Sequence, residues 1–535
     1  MKAAIIIFLG FLTSLISVSV YSQPAPPVAW MRDYTSGRSN AMKVDPSGNV
    51  YISGETYVNG YTDFCTIKYN SAGVQQWMVT YNGTDNLDDS PSSIAVDNQG
   101  NVYVTGTANK DYNNQVFSGD YCTIKYNSIG QQQWVKIYSG NVMGRDIPFK
   151  IAVDGTGNVY VTGQSYIDDQ RSDDIVTIKY APDGQQQWLS VHDGTGTNPE
   201  QDAGRDMVLD AQGNVYVFGH STRITSWYDL CLIKYNSAGA LQFIAHYTGT
   251  DNSITEYGVA ITLDNVGNIY TVGDLGADIA VLKYSPSGTE LWVYKYEMPY
   301  FSKAMDITVD AAGNVFFCGS MGATGFLAKL NGSGALIWNK IITGTGGNEI
   351  VNDILVDQSG DVYITGKVAA GSYFDLLAEK INTGSTTQWR ATHNGSGNYN
   401  DFGNSIGSDA TGNIYVTGGS NVGGFNNMCT IKFAPGTIGI NPVSNEIPDG
   451  YSLSQNYPNP FNPVTNIEFT IPSSAFVKLV IYNSLGKEVE TLVNENLNAG
   501  TYNADWNASN YPSGVYFYMI ETEGFTETKK MLILK

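Results

Sequence analysis

The sequence predicts an all-β fold: an eight-bladed β-propeller closed by an N-terminal strand, followed by a small immunoglobulin-like β-sandwich. The phrase Asp-x-x-Gly-Asn-hydrophobic-aromatic, as in "DNQGNVYV", recurs with its Asp at Asp45, Asp97, Asp154, Asp210, Asp264, Asp310, Asp357 and Asp409. Its period of roughly 50 residues suits one four-stranded sheet per copy. Between copies lie short runs rich in β-branched and aromatic residues, with no helical period. Beyond residue 436 the phrase stops and alternation of apolar and polar residues resumes after a Pro- and Gly-bearing stretch.

Composition agrees with this reading and narrows the partners. The chain has 535 residues, 58 of them Gly, and 12% aromatics, which suits a large turn-rich β protein. A net charge of -21 repels nucleic acid and anionic membrane surfaces, so neither is expected as a partner. Residues 1–22 open with Lys2, run apolar to about Val20 and end on small residues, the pattern of a signal peptide. No second long apolar run follows, so no transmembrane span is expected in the mature chain.

Residues 23–436 are assigned to the propeller. In each unit the Asp-x-x-Gly-Asn link reads as a hairpin whose Asp accepts backbone N–H bonds and whose Gly takes a left-handed conformation. A second hairpin, "KYNSAGVQQW" in the first unit, holds a Lys and an aromatic nine residues apart, which pins register. Lys68, Lys125, Lys179, Lys234, Lys283, Lys329, Lys380 and Lys432 form one ladder. Trp77, Trp134, Trp188, Phe243, Trp292, Trp338 and Trp389 form the other. Repetition in every unit marks both as scaffold, packed between sheets. The eighth unit lacks its Trp strand, and "VAWMRDYTSG" at residues 28–37 matches the missing piece, so Trp30 is expected to close the ring. Cys65, Cys122, Cys231 and Cys429 share one repeat position, too far apart to pair, and read as buried thiols.

The repeat phrases resemble the SBBP β-propeller repeats of exported bacterial proteins over roughly residues 28–436, though with eight copies where that family is named for seven blades. After a linker at 437–450, residues 451–535 resemble the type A C-terminal sorting domain of cargo for the type IX secretion system. The match runs through "NYPNPFNPVTNIEFTIP", "VKLVIYNSLGKEVETLV", "LNAGTYNADWNA", "SGVYFYMI" and "TKKMLILK". The resemblance implies the type IX machinery as a partner, passage across the outer membrane, and a final place at the cell surface or outside the cell.

Function is expected on one face. Strand directions alternate, so both tight hairpins lie on one side of the ring and the longer links on the other. The second-to-third links are longest in units two to four, where Tyr112, Phe117, Tyr166, Arg223 and Trp227 stand, a set suited to stacking on sugar rings or anchoring a protein partner. The expected activity is therefore binding of a glycan or protein ligand. No catalytic residue is assigned and no cofactor is expected, although Asp88, Asp89, Asp168, Asp169, Asp173 and Asp174 are acidic enough in pairs to hold calcium. Nothing in the linear sequence has metal-ligand spacing: His192 and His393 replace a packing aromatic, His246 adjoins that position, and His220 stands alone in a loop. The alternative is an extracellular polysaccharide-degrading enzyme, a glycosidase or lyase with carboxylates hidden among the 50 acidic residues.

Overall fold

In a computed structural model, the described residues are 26–34, 36–111, 118–140, 144–167, 173–195, 201–223, 226–249, 255–297, 301–422, 425–434, 440–444, 448–508 and 511–534. The signal-peptide assignment at 1–22 lies outside them. Each repeat phrase builds the turn that its composition requires. Asp45 Oδ1 accepts the N–H groups of Ser47 and Asn49, and Oδ2 accepts the Asn49 amide and the Tyr51 hydroxyl. Gly48 sits at φ +78°, where a β-carbon is strained. The same four bonds recur around Asp97, Asp210 and Asp264. At Asp154 burial alone raises the carboxyl pKa, but bonds from Asn158 and Thr156 outweigh it and hold the group below its ordinary value. These carboxylates are occupied by the turn itself.

Among the described residues, 28–433 form eight four-stranded antiparallel sheets. The first is Gly37–Val44, Val50–Val58, Tyr61–Tyr69 and Gln75–Tyr81, and six more repeat its order along the chain. The first strand of each sheet touches the first strand of the next, which makes these strands the inner wall of a ring. In the eighth sheet, Phe402–Ser408, Ile414–Val422 and Phe425–Phe433 come from the end of the repeat, and Val28–Tyr34 supplies the outer strand. Trp30 lies opposite Lys432, and its Nε1 donates to the Ser71 carbonyl of the first sheet at 3.0 Å. The ring is also tied inside, where Ser39 Oγ donates to the Gly418 carbonyl.

The Lys and Trp ladders explain how one sheet recognises the next. Tyr51, Lys68 and Trp77 stand side by side on three strands, and the Lys68 ammonium lies over the Tyr51 ring. Across all eight sheets that distance is 4.6 to 5.2 Å. Trp77 Nε1 and Lys68 Nζ both donate to the Ser128 carbonyl, in the outer hairpin of the following sheet. Gly130 of that hairpin abuts the Trp77 ring so closely that a β-carbon would lie 2.8 Å from it. The pairing is incomplete in three sheets: in the sixth, Trp338 Nε1 donates to the Thr383 carbonyl, with no matching bond from Lys329 among the described residues. Phe243 has no N–H, and Trp389 meets no such hairpin because the chain ends its repeat there, although its ring packs on Phe433 as Trp77 packs on Tyr126.

The seventh sheet carries a defect in this scheme. Ser385 occupies the hairpin position that is Gly elsewhere, at φ +71°. Ser385→Gly is expected to stabilise the chain by about 1 kcal/mol by relieving left-handed strain. Urea denaturation of the two chains at matched conditions checks this, and a destabilised variant would refute it.

The C-terminal segment packs two further four-stranded sheets on one core that includes Phe469, Trp506, Leu479 and Tyr518. One is Ile440–Ser444, Gly500–Asn507, Val464–Ile471 and Ser452–Leu453; the other is Glu488–Leu497, Ala475–Asn483, Gly514–Glu521 and Thr526–Ile533. The strand Ile440–Ser444 falls inside the stretch 437–450 expected as linker. Its Pro442 and its lack of alternation conceal an edge strand from the sequence pattern.

Candidate functional site

Every inner strand has a β-bulge at the same place, between the register pairs at 39/41, 91/93, 148/150, 204/206, 258/260, 304/306, 351/353 and 403/405. A bulge turns successive side chains toward one side. Here it brings Phe149 with Lys150, Arg205 with Asp206, Met305 with Asp306, and Asn352 with Asp353 to an axial cavity of ≈ 580 Å³. That volume is within the usual range for a ligand pocket.

Lys150 Nζ lies 2.8 Å from Asp206 Oδ1. Asp206, Asp306 and Asp353 each accept an N–H from the next inner strand, at Ile261, Ile354 and Ile406 respectively. They therefore tie neighbouring bulges together. Burial, and then the Asp353 carboxylate hydrogen-bonded to it, push the Asp306 carboxyl well above its ordinary pKa. No sequence signal paired these two acids, because they are 47 positions apart by subtraction and only ring closure makes their strands adjacent.

On the loop side of this waist the ring carries its aromatics. The Arg205 guanidinium lies 4.4 Å over the Phe149 ring. His220 packs edge-on against Tyr228 and Tyr257, at centroid distances of 5.4 and 4.9 Å, the two tyrosine rings are tilted to each other at 5.6 Å, and Tyr257 is exposed. His220 is thus no isolated loop residue: it is buried in the strand Val215–Arg223, and burial, then the nearby Arg205 charge, push its pKa down to about 3. The long link in the fourth unit is largely two extended strands, which is why a loop reading misplaced it.

Of the residues singled out from the sequence, Trp227 is 61% exposed on the strand Ser226–Tyr235, next to Tyr228. Arg223 is half committed, with Nη1 3.6 Å from Asp229. Tyr166 is held by its surroundings: its N–H donates to Asp146, and Gly144 packs under its ring. Tyr112 and Phe117 lie outside the described residues, as do Asp168 and Asp169. Among the described residues no ring contact joins Tyr166 to Trp227.

The acidic residues of the loop face form a further ladder, whose variable spacing hid it. Asp89, Asp146, Asp202, Glu256, Glu349 and Asp401 each begin or precede an inner strand. Each accepts an N–H from the loop before it, at Gly83, Gly140, Gly194, Gly249, Gly344 and Gly395. Most also bind an amide of the second-to-third link, as Asp89 does with Asn109 and Asp401 with Asn421. The long loops are therefore stapled to a rigid frame. Asp88 accepts from Thr62, and Asp173 pairs with Arg145 at 2.6 Å. Asp174, Asp193 and Asp202 bring carboxylate oxygens within 4.8 Å of one another.

The five cysteines are free and buried, as the repeat position of four of them predicts. Desolvation pushes the Cys65 thiol up to about 12. No helix of the described residues is long and apolar enough to cross a membrane, which says nothing of strands.

Comparison with known proteins bears on both halves of the chain. Residues 455–534 match the family described as a secretion system C-terminal sorting domain, and residues 79–113 and 133–169 match the SBBP β-propeller repeat. No curated protein matches the chain. Solved structures similar to it include a protein of unknown function from Bacteroides caccae, 11% identical, covering 54% of this chain and 92% of that one at a TM-score of 0.31. PorZ of Porphyromonas gingivalis, titled an essential bacterial surface component of the type-IX secretion system, is 11% identical and covers 94% of this chain and 100% of its own at 0.26. A Lactobacillus plantarum protein, 15% identical, covers 58% and 86% at 0.40. With the repeat and the tail both identified, the chain carries SBBP β-propeller repeats and a C-terminal sorting domain, which marks it for export by the type IX system to the cell surface or extracellular space.

Proposed function

We propose that residues 23–436 are a complete eight-bladed propeller that binds an extracellular glycan at the loop-side mouth of its channel, and that the sandwich after it is immunoglobulin-like. The observation that carries the binding reading is the mouth itself. Exposed rings at Trp227 and Tyr257, a stacked Arg205 and Phe149, and a polar cavity converge on the face where acidic staples immobilise the loops. Flat rings beside hydrogen-bonding groups suit sugar faces and hydroxyls. A protein ligand remains the second class of partner for this face.

Glycoside hydrolysis by the axial pair Asp306 and Asp353 is disfavoured by the same geometry. Asp306 and Asp353 share a hydrogen bond, closer than the roughly 5 Å or more that separates the carboxyls of glycosidases, and both are tied to neighbouring strands. The test is retention of the full-length chain on a panel of extracellular polysaccharides, with release of reducing ends measured in parallel. Trp227→Ala and Tyr257→Ala are expected to weaken retention about 10-fold or more, with the Trp227 variant keeping its melting temperature because the ring is exposed. Absence of retention on every polysaccharide, or new reducing ends, would overturn the reading.

A further inference from the structure

Where the outer strand of one sheet meets the third strand of the next, four seams contain a cysteine. At the seam of the first and second sheets Tyr81 faces Cys122, and the residue opposite Cys122 on its own sheet is Ile137. At the seam of the third and fourth sheets the cysteine stays and both of its neighbours change together. His192 stands for the tyrosine, its Nε2 3.9 Å from Cys231 Sγ, and His246 stands directly opposite Cys231. One donor atom from each of the three lies within 4.8 Å of the others. At the seam of the seventh and eighth sheets, His393, Cys429 and Asp33 fill the same places, but among the described residues their donors form no such group.

We propose that His192, Cys231 and His246 bind a thiophilic transition-metal ion, zinc(II) being the ion that suits them best. Two imidazoles and a thiolate are borderline-to-soft ligands that favour zinc over calcium or magnesium. Zinc bonds of about 2.0 Å to nitrogen and 2.3 Å to sulfur place N and S about 3.5 to 3.8 Å apart, so the observed separation closes with a shift of a few tenths of an ångström. His246 Nδ1 is buried and has no hydrogen-bond partner among the described residues, an orphan that a ligand would satisfy. Ser221 Oγ, 3.2 Å from His192 Nε2, or a water can complete a fourth position.

The charges nearby are consistent with a bound cation. Arg223 opposes a cation, and Asp229, two residues before Cys231 on the same face of its strand, pairs with that arginine. On binding, the Cys231 S–H bond breaks, the sulfur pair forms the metal–sulfur bond, and the proton leaves to solvent. The ion would clip the strand Gln186–His192 to the strands Ser226–Tyr235 and Leu241–Tyr247, directly beneath the loops of the third and fourth units.

The experiment uses the untagged full-length chain stripped with a chelator, titrated with zinc(II) alone against a chromophoric competitor, and with cobalt(II) as an optical probe. One equivalent is expected to bind, raise the melting temperature, and give a thiolate-to-cobalt charge-transfer band. Cys231→Ser should abolish the band. His192→Tyr and His246→Ile install residues that other seams already use, so they preserve packing while lowering zinc affinity about 100-fold or more. Cys429→Ser should change nothing. Failure of the parent chain to bind a stoichiometric equivalent, or unchanged affinity in the His192→Tyr/His246→Ile double variant with native circular dichroism, would overturn the proposal.

Discussion

Trp30→Ala is expected to destabilise the chain by about 3 to 5 kcal/mol, the largest single effect anticipated for a ladder residue. Trp30 is 8% exposed, fills the space between Tyr69 and Tyr415, and donates to the Ser71 carbonyl, so its loss leaves a cavity at the junction of the first and eighth sheets. Deleting residues 26–34 removes the whole outer strand and exposes the edge of Phe425–Phe433, which should then pair with other chains. Denaturant titration of the point variant, and light scattering of the deletion, check these outcomes. A loss under about 1 kcal/mol together with a monodisperse deletion variant would mean that the ring is held closed by something other than this strand.

The second large effect concerns pH. Glu256 is 2% exposed, and burial pushes its carboxyl up to about 7 despite N–H bonds from Gly249 and Leu230. Burial likewise pushes Asp146 and Asp274 up to about 6. The folded state therefore binds these protons more tightly than the unfolded state, so the stability they add is complete below the unfolded pKa values and is lost as pH rises through 6 and 7. For Glu256 the loss amounts to about 3 kcal/mol. The turn carboxylates Asp154, Asp210, Asp264 and Asp409 act in the opposite sense, since their pKa values are depressed and their contribution disappears only in strong acid. Melting temperature should peak near pH 4 to 5 and fall toward pH 8. Glu256→Gln should flatten that fall and melt higher than the parent at pH 8. Parallel curves for the two chains would show that Glu256 stays charged in the fold.

Much of the scaffold was legible before any coordinates. Asp45 and its seven repeats, Gly48 and its equivalents, and the Lys68–Trp77 spacing each state a local requirement of a turn or a cross-strand pair, and local requirements recur wherever the same turn does. Even the closing strand was readable, because Trp30 repeats the residues around Trp77. The Asp89-to-Asp401 ladder was not, since it joins two loops of unequal length and has no fixed spacing.

What the sequence by itself determined is the unit: its hairpins, its register and the tail that sends it outward. Only the tertiary structure decided which variable residues become neighbours. Asp306 beside Asp353, Arg205 over Phe149, and His192 against Cys231 each join different sheets, and their contacts arise from sheets packing around an axis. The physical reason is that turn chemistry acts over a few residues along the chain, while burial and charge act over a few ångströms of space, and a closed ring brings distant residues within that range.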